Sequence, residues 1–344
     1  MFMSTTAIVI LNWNGVDFLK EFLPSVTQHS VGFDIIVADN ASTDTSVVFL
    51  KENYPEINVI INSSNGGFAK GYNDALAKLE GQYAHYLLLN SDIEVTANWL
   101  PPLVAVLENN TAIAGVQPKI KSFHRKNYFE HAGAAGGMMD KNYYPFCRGR
   151  IFDTVEEDVG QYDSPTEVFW TSGACMLIRA KVYHQLAGFD ATFFAHMEEI
   201  DLCWRAKNQG YSFQVEPAST VYHVGGGTLN YENPRKTFLN FRNSLYTIHK
   251  NHHGWIFGKI FHRLLLDGVA GCKYAVAFKF KHVGAIIKAH FAYYGKLSSL
   301  SKTRKELKQL RKNPSTKGYF RGSILTSYFI KGIKKFEFLD KNLF

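Results

Sequence analysis

Four short runs are apolar almost throughout: Ala7–Leu11 (AIVIL), Asp34–Ala38 (DIIVA), Ile57–Ile61 (INVII) and Tyr86–Leu89 (YLLL). Between them lie stretches with the rhythm of helices, among them Val16–Thr27 and Phe68–Leu79. A strand without polar alternation is covered on both faces, and helices between such strands supply the crossovers of a parallel sheet. The first half is therefore expected to be α/β with a mainly parallel central sheet. A helix over Ala97–Glu108 follows the fourth strand, with Pro101 and Pro102 confined to its first turn, the place where proline is tolerated.

From about Gly115 the pattern shifts to short strands between Gly, Asp and Asn turns as far as Phe169, with a glycine-rich stretch at Gly133–Gly137. A strand at Ala174–Ile178, helices at Lys181–Leu186 and Glu198–Asn208 (closed by Gly210), a strand at Ser212–Val215 and a short one ending at His223 complete this part. Three segments are expected: an α/β half over 1–114, a half of shorter strands over 115–233, and a basic helical C-terminal region over 234–344. Charge marks the last boundary. Residues 1–234 hold 15 Lys and Arg against 26 Asp and Glu, a balance of −11, whereas residues 235–344 hold 23 against 4, or +19.

That asymmetry points to a polyanionic partner for the tail. Ile256–Tyr294 interleaves aromatic and aliphatic residues with Lys and Arg, and its uncharged runs fall far short of a membrane span, which suits an amphipathic region lying on anionic lipid. Ser298–Asn313 reads as a mobile linker or exposed helix. Ala7–Leu11 stops at Asn12, too short for a signal peptide or a span, so the expected location is cytoplasmic and peripheral on the inner face of the cell membrane. Cys147, Cys175, Cys203 and Cys272 are scattered and read as reduced thiols, not as a disulfide scaffold or zinc site. The acidic first half and the lack of any nucleic-acid motif argue against a DNA or RNA partner.

The chemistry-bearing segments stand where strands end. In open α/β sheets ligands sit outside the carboxyl ends of strands. ILNWNG (Ile10–Gly15, with Asn12 and Asn14) ends the first, and VADNASTD (Val37–Asp44, with Asp39 and Asn40) the second. Asp39 and Asn40 suit a base or ribose, or equally a capped turn. NSSNGGFAKGYN (Asn62–Asn73, with Asn65, Gly67 and Asn73) is a glycine loop entering a helix, and it matches neither the P-loop nor the dinucleotide fingerprint. In LLLNSDIE (Leu87–Glu94) the apolar strand closes on Asn90, Ser91 and Asp92, and a carboxylate there suits a hard cation shared with substrate phosphates.

Trp170, Thr171 and Gly173, small residues and a tryptophan before a strand, read as an acceptor wall. Glu198, Glu199 and Asp201 open a helix, where acids complement its dipole. Three carboxylates in four residues exceed that need and offer a general base. His223 ends a strand beside Gly225–Gly227, as a packing residue or a metal ligand.

Taken in order, ILNWNG, VADNASTD, NGGFAKGYN, LLLNSD, SGACMLIRA, GFDATFF, MEEIDLCWR and YHVGG resemble glycosyltransferase family 2, and within it the rhamnosyltransferase-like bacterial branch. The resemblance spans about residues 5–230 and implies a GT-A fold. It also implies a nucleotide-diphosphate sugar donor (dTDP- or UDP-linked), Mg²⁺ or Mn²⁺, and inverting transfer to a glycan or lipid-linked saccharide in cell-surface polysaccharide synthesis. Carried over by position, Asp39 contacts the nucleoside, Asp92 is the metal carboxylate of a DxD motif reduced to Asn90-Ser91-Asp92, and His223 completes the metal site. Glu199 falls at the base position, where Asp is usual, with Glu198 its rival. Asn12, Asn14, Asn40, Asn65, Gly67, Asn73 and Asn90 complete the expected donor site, and Asp201 joins Trp170, Thr171 and Gly173 on the acceptor side. The competing reading is a non-catalytic nucleotide-sugar binder of the same fold, which would not need the acid cluster.

Overall fold

The computed structural model describes residues 5–225 and 233–344; Gly226 and Gly227 of the glycine run lie outside them. The first half repeats strand and helix: β1 (Thr6–Asn12), α1 (Val16–His29), β2 (Asp34–Asp39), α2 (Ser46–Asn53), β3 (Asn58–Ile61), α3 (Gly67–Ala77) and β4 (His85–Asn90). β1 lies between β2 and β4 and pairs in parallel with both, and β3 joins β2 in parallel. Alternate side chains feed two separate cores. Ala7 and Val9 pack with Tyr86 and Leu88 on one face, and Ile8 and Ile10 with Leu87 and Leu89 on the other. Burial on both faces is why these strands carry no polar alternation.

Next come β5 (Ile93–Val95), α4 (Leu100–Asn109, with Pro101 in its first turn) and β6 (Ile113–Ser122). β7 (Gly137–Asp140), β8 (Pro145–Cys147), β9 (Arg150–Ile151) and β10 (Thr154–Val155) begin a second, smaller sheet. The chain then returns to the main sheet through β11 (Thr166–Val168), β12 (Cys175–Arg179), α5 (Ala180–Gln185), α6 (Glu198–Asn208) and β13 (Ser212–His223). The main sheet has nine strands in the order β11-β13-β6-β12-β4-β1-β2-β3, with β5 added to β13. β12 runs antiparallel to both β4 and β6, which turns β6, and β13 beside it, back to the direction of β1–β4. The carboxyl ends of β1, β2, β4 and β13 therefore share one edge, and that edge carries Asn12, Asp39, Asn90 and His223.

The two strands expected at Ser212–Val215 and at His223 are one, β13, with a register shift between Glu216 and Thr220. Glu216-Pro217-Ala218-Ser219 reads as a turn but forms an irregularity within the strand, which a proline can occupy at a bulge.

Beyond Pro234 come α7 (Pro234–Asn251), α8 (Ile256–Val276), α9 (Phe280–Tyr294), α10 (Leu297–Gln309) and β14 (Tyr319–Phe320). The basic stretch over 256–294 is two helices, and most of Ser298–Asn313 is the helix α10. This region does not hang free. β14 pairs in parallel with β7 and completes the second sheet, and the Ile324 amide donates to the buried Asp140 carboxylate at 2.9 Å.

Candidate active site

β5 is antiparallel to β13, with Ile93 opposite His223, and the Val224 amide donates to the Asp92 carbonyl at 3.1 Å. This pairing sets two side chains 131 positions apart next to each other. Asp92 Oδ1 lies 3.2 Å from His223 Nε2, and Asn90 Nδ2 lies 3.4 Å from the same nitrogen. On the other side of the ring, Glu130 Oε2 is 3.3 Å from Nδ1, an ion-pair contact without good hydrogen-bond alignment. Burial alone would lower the pKa of His223, but Asp92 and then Glu130 outweigh it and carry the imidazole to about 10. Glu130 is likewise buried, and the His223 cation holds its carboxyl below the usual range.

Glu130 was not evident from the sequence, because it sits in a segment without a motif. Lys121 bridges to Phe129, and the Glu130 amide donates to the Ile120 carbonyl at 3.0 Å, which folds the residue back onto the end of β6.

A divalent ion beside Asp92 would displace the Nε2 proton of His223 and so gain one oxygen and one nitrogen donor side by side, and a carboxylate behind the imidazole is the usual way to fix a ligating histidine. Among the described residues no three His, Cys, Asp or Glu form a metal cage. Two protein donors fit a Mg²⁺- or Mn²⁺-type ion whose remaining ligands are water and substrate phosphate.

Glu198 and Glu199 begin α6 after a turn in which Phe194, His196 and Met197 adopt φ of 64°, 69° and 73°. Non-glycine residues rarely adopt this left-handed conformation, and it persists only where surrounding contacts over-determine it. Asn243 Nδ2 on α7 is within hydrogen-bonding reach of the carbonyls of Phe193 (3.1 Å), Ala195 (2.9 Å) and His196 (2.7 Å). From α3, the Phe68 amide donates to the Phe194 carbonyl at 2.8 Å. Gly67 has φ +80°, and a Cβ there would stand 2.5 Å from that carbonyl oxygen, so the contact requires glycine.

Glu198 is buried and Glu199 half-buried, and the Oε2 of each is shut from solvent without a partner. Burial raises Glu199 to about 7. Burial and then the Glu199 charge push Glu198 well above its ordinary value. Burial and its neighbour thus favour the protonated form of Glu198, while Glu199 is brought to near neutrality.

The two corners meet through Gly173 and Ala174. A Cβ on Gly173 would lie 3.7 Å from Glu199 Cβ, and the Ala174 carbonyl accepts from the Asn90 amide at 2.9 Å.

The expected donor-side residues divide. Asn12 and Asp39 are buried together: Asp39 Oδ1 accepts from Asn12 Nδ2 (3.1 Å) and Oδ2 from the Ser42 amide (2.9 Å), while Asn12 Oδ1 has no partner. Asn14 is exposed, and its Oδ1 accepts from the Thr43 amide at 2.7 Å. Asn40 donates to Asn65 Oδ1 (3.0 Å) and the Gly67 carbonyl (3.1 Å), and accepts from Asn62 (3.2 Å). These residues lock the strand-end loops to one another. Trp13, 46% exposed at the end of β1, is an aromatic surface that the sequence reading passed over.

Four expectations are corrected. Asn73 is engaged within the fold: its Oδ1 accepts from the Tyr183 hydroxyl (2.6 Å) and the Phe189 amide (3.0 Å), and its Nδ2 donates to the Phe189 carbonyl (2.8 Å). Trp170 is a buried packing residue whose Nε1 donates to the Met138 carbonyl at 3.0 Å. Thr171 is fully buried, with Oγ1 3.7 Å from Cys203 Sγ. Asp201 is fully buried, pairs with Arg205 of its own helix (2.8 Å), and ties α6 to α7 through Lys250 (2.9 Å) and Asn251 (2.8 Å). Polar residues near a strand or helix end look alike in sequence whether they face a ligand or a neighbouring element.

A sheet of this order, with its acidic and imidazole groups gathered where the parallel strands end, defines a GT-A glycosyltransferase, an enzyme that draws on a nucleotide-sugar donor. Residues 7–186, 180 of the 344, match the family model Glycosyl transferase family 2, and the chain belongs to that family. Within it the chain is rhamnosyltransferase-like. It is 22% identical over 264 residues to the N-acetylglucosaminyl-diphospho-decaprenol L-rhamnosyltransferase of Mycobacterium tuberculosis, covering 72% of this chain and 85% of that one. It is 24% identical over 230 residues to the rhamnosyltransferase WbbL of Escherichia coli, covering 63% and 82%. The crystal structure of GalNAc-T7 with UDP, GalNAc and Mn²⁺ superposes with a TM-score of 0.60 at 17% identity; it matches 89% of this chain but only 55% of that larger one, a likeness of fold. The family match stops at residue 186, before Glu199 and His223, so their roles rest on geometry.

Proposed function

We propose that this protein is an inverting, metal-dependent transferase that moves a sugar from a dTDP- or UDP-linked donor to a hydroxyl of a glycan or lipid-linked saccharide in cell-surface polysaccharide synthesis. The activities named for the Mycobacterium tuberculosis and Escherichia coli relatives favour rhamnose as the sugar. The observation that carries the reading is Glu199: a carboxylate with an unpartnered oxygen, a pKa near neutrality, and a place linked through Gly173 and Ala174 to Asn90 at the strand end that precedes Asp92.

Glu199 takes the proton of the acceptor hydroxyl as its oxygen bonds to the anomeric carbon. The bond from that carbon to the diphosphate oxygen breaks on the opposite face, and the nucleoside diphosphate leaves with the electron pair, inverting the centre in one displacement. Asp92 and His223 would hold the Mg²⁺ or Mn²⁺, which neutralises charge on the leaving diphosphate. The loops around Asn12, Asp39, Asn40 and Asn65, with the exposed ring of Trp13, receive the nucleoside. Gly173 leaves room for the acceptor beside Glu199. Residues 1–233 form the catalytic unit, with its nucleotide half over 1–114 and acceptor half over 115–233, and the chain from 234 onward buttresses it.

Glu199→Gln is expected to lower transfer by at least about a hundredfold. It should keep the rise in Tm given by Mn²⁺ with dTDP or UDP, because bound ligand stabilises by mass action. Wild-type turnover by that variant would refute the assignment. The same thermal assay over a panel of nucleotide sugars identifies the donor.

A further inference from the structure

α8 is inside out. Its buried face carries a charge pair, Arg263 Nε to Asp267 Oδ1 at 2.8 Å, with His290 of α9 3.3 Å from the other carboxylate oxygen. Its solvent face carries Phe257, Phe261, Leu265, Val269 and Val276, exposed by between 56% and 80%. At 100° per residue these five, with Gly268 and Cys272, fall within roughly a third of the helix circumference, and no charged residue stands among them.

The stripe continues. Phe278 in the connection and Phe280, Ile287 and Phe291 on α9 are also more than half exposed, and Phe329 and Ile330 border α8 where Lys273 lies over the Phe329 ring. A helix in water turns its apolar face inward, so one that buries its ions and presents phenylalanine is built for an apolar neighbour. A continuous patch of this kind marks an interaction surface.

Charge identifies the neighbour. Residues 253–296 contain seven Lys and Arg and a single acid, Asp267, which is buried and already paired. Lys281 and Lys288 stand exposed beside the α9 aromatics. A protein partner would have to meet this cationic rim with acids of its own, and a second copy of the same surface would bring lysine against lysine. Anionic lipid supplies both an apolar interior and a negative surface. No helix among the described residues is long and apolar enough to cross a membrane, which suits helices lying in the interfacial plane.

We infer that the outward face of α8 and α9 docks the protein on an anionic bilayer, with the aromatic stripe inserted among acyl chains and Lys281 and Lys288 at the headgroups. This surface is independent of the transfer chemistry.

The test is co-sedimentation of the full-length protein with vesicles of phosphatidylglycerol and phosphatidylethanolamine. Phe261→Ser combined with Leu265→Ser should weaken binding at least about tenfold, since each buried apolar side chain adds substantially to partitioning. Lys281→Ala with Lys288→Ala should weaken binding to the anionic vesicles but not to neutral phosphatidylcholine, and salt should act likewise. The serine variant should retain its Tm and its transfer to a water-soluble acceptor, which separates this surface from the catalytic assignment. Unchanged sedimentation of the serine variant would overturn the proposal. So would concentration-dependent dimerisation, lost in that variant, in a protein that ignores vesicles.

Discussion

At the scale of single residues the decisive difference is between two adjacent carboxylates. Glu198 and Glu199 begin the same helix, yet Glu198 is buried and pushed well above its ordinary value, whereas Glu199 is half-buried and raised to about 7. Its folded pKa of about 7 lies above the ordinary value of 4.5, so the proton is held in the folded state below that point. Transfer should therefore fall as pH drops through about 7, and Glu199→Gln should abolish whatever activity that limb reports. Stability carries the opposite sign. The stabilising contribution of the protonated form is present below about 4.5 and lost as pH rises through about 7, so Glu199→Gln should melt higher than the wild type at pH 8 and match it at pH 4. Differential scanning calorimetry at the two pH values checks this, and an equal or lower Tm for the variant at pH 8 would contradict it. The acidic triplet was legible in the sequence because three carboxylates exceed what a helix start requires. Asp201 was misread because nothing in its neighbourhood announces Lys250 and Asn251, which lie some fifty residues further on.

At the scale of elements, the site depends on how α6 is launched. Three left-handed residues precede it, and Asn243 of α7 gathers three of the carbonyls of that turn. Asn243→Ala leaves the Ala195 and His196 carbonyls without that donor and should cost about 1–3 kcal/mol in urea unfolding. The released turn should also let Glu199 wander, so kcat should fall by more than KM rises; an unchanged kcat would show that the turn holds itself. β13 makes the complementary point. Its bulge at Glu216–Thr220 disguises one long strand as two short ones, and only the pairing with β5 brings His223 level with Asp92.

At the scale of the whole molecule, the basic C-terminal region has two jobs for which its charge is a poor guide. α7 braces α6, and β14 closes the second sheet over the buried Asp140. The outward face of α8 and α9 is left exposed. Ending the chain after Lys312 should therefore lower stability by roughly 3 kcal/mol or more, since it strips a sheet edge and leaves one oxygen of the buried Asp140 carboxylate without its amide donor. Thermal unfolding of the truncated protein tests this, and an unchanged Tm would show the last segment to be dispensable. The composition turns basic at Pro234, where α7 begins, and the packing of the region beyond it depends on contacts between distant segments.

The sequence by itself determined the alternating α/β plan, the parallel strands and the polar residues at their ends. These follow from local periodicity and from burial on both faces of a sheet, and such patterns are written in neighbouring residues. The tertiary structure alone decided which of those polar residues meet. Asp92, Glu130 and His223 converge because β12 reverses the sheet and β5 pairs across to β13. Asn73, Trp170 and Asp201 are drawn away into packing by partners distant in the chain. It also decided that α8 buries its ions and shows its aromatics. A helical stripe has the same period whichever way it faces, and only the neighbours it meets on folding settle the direction.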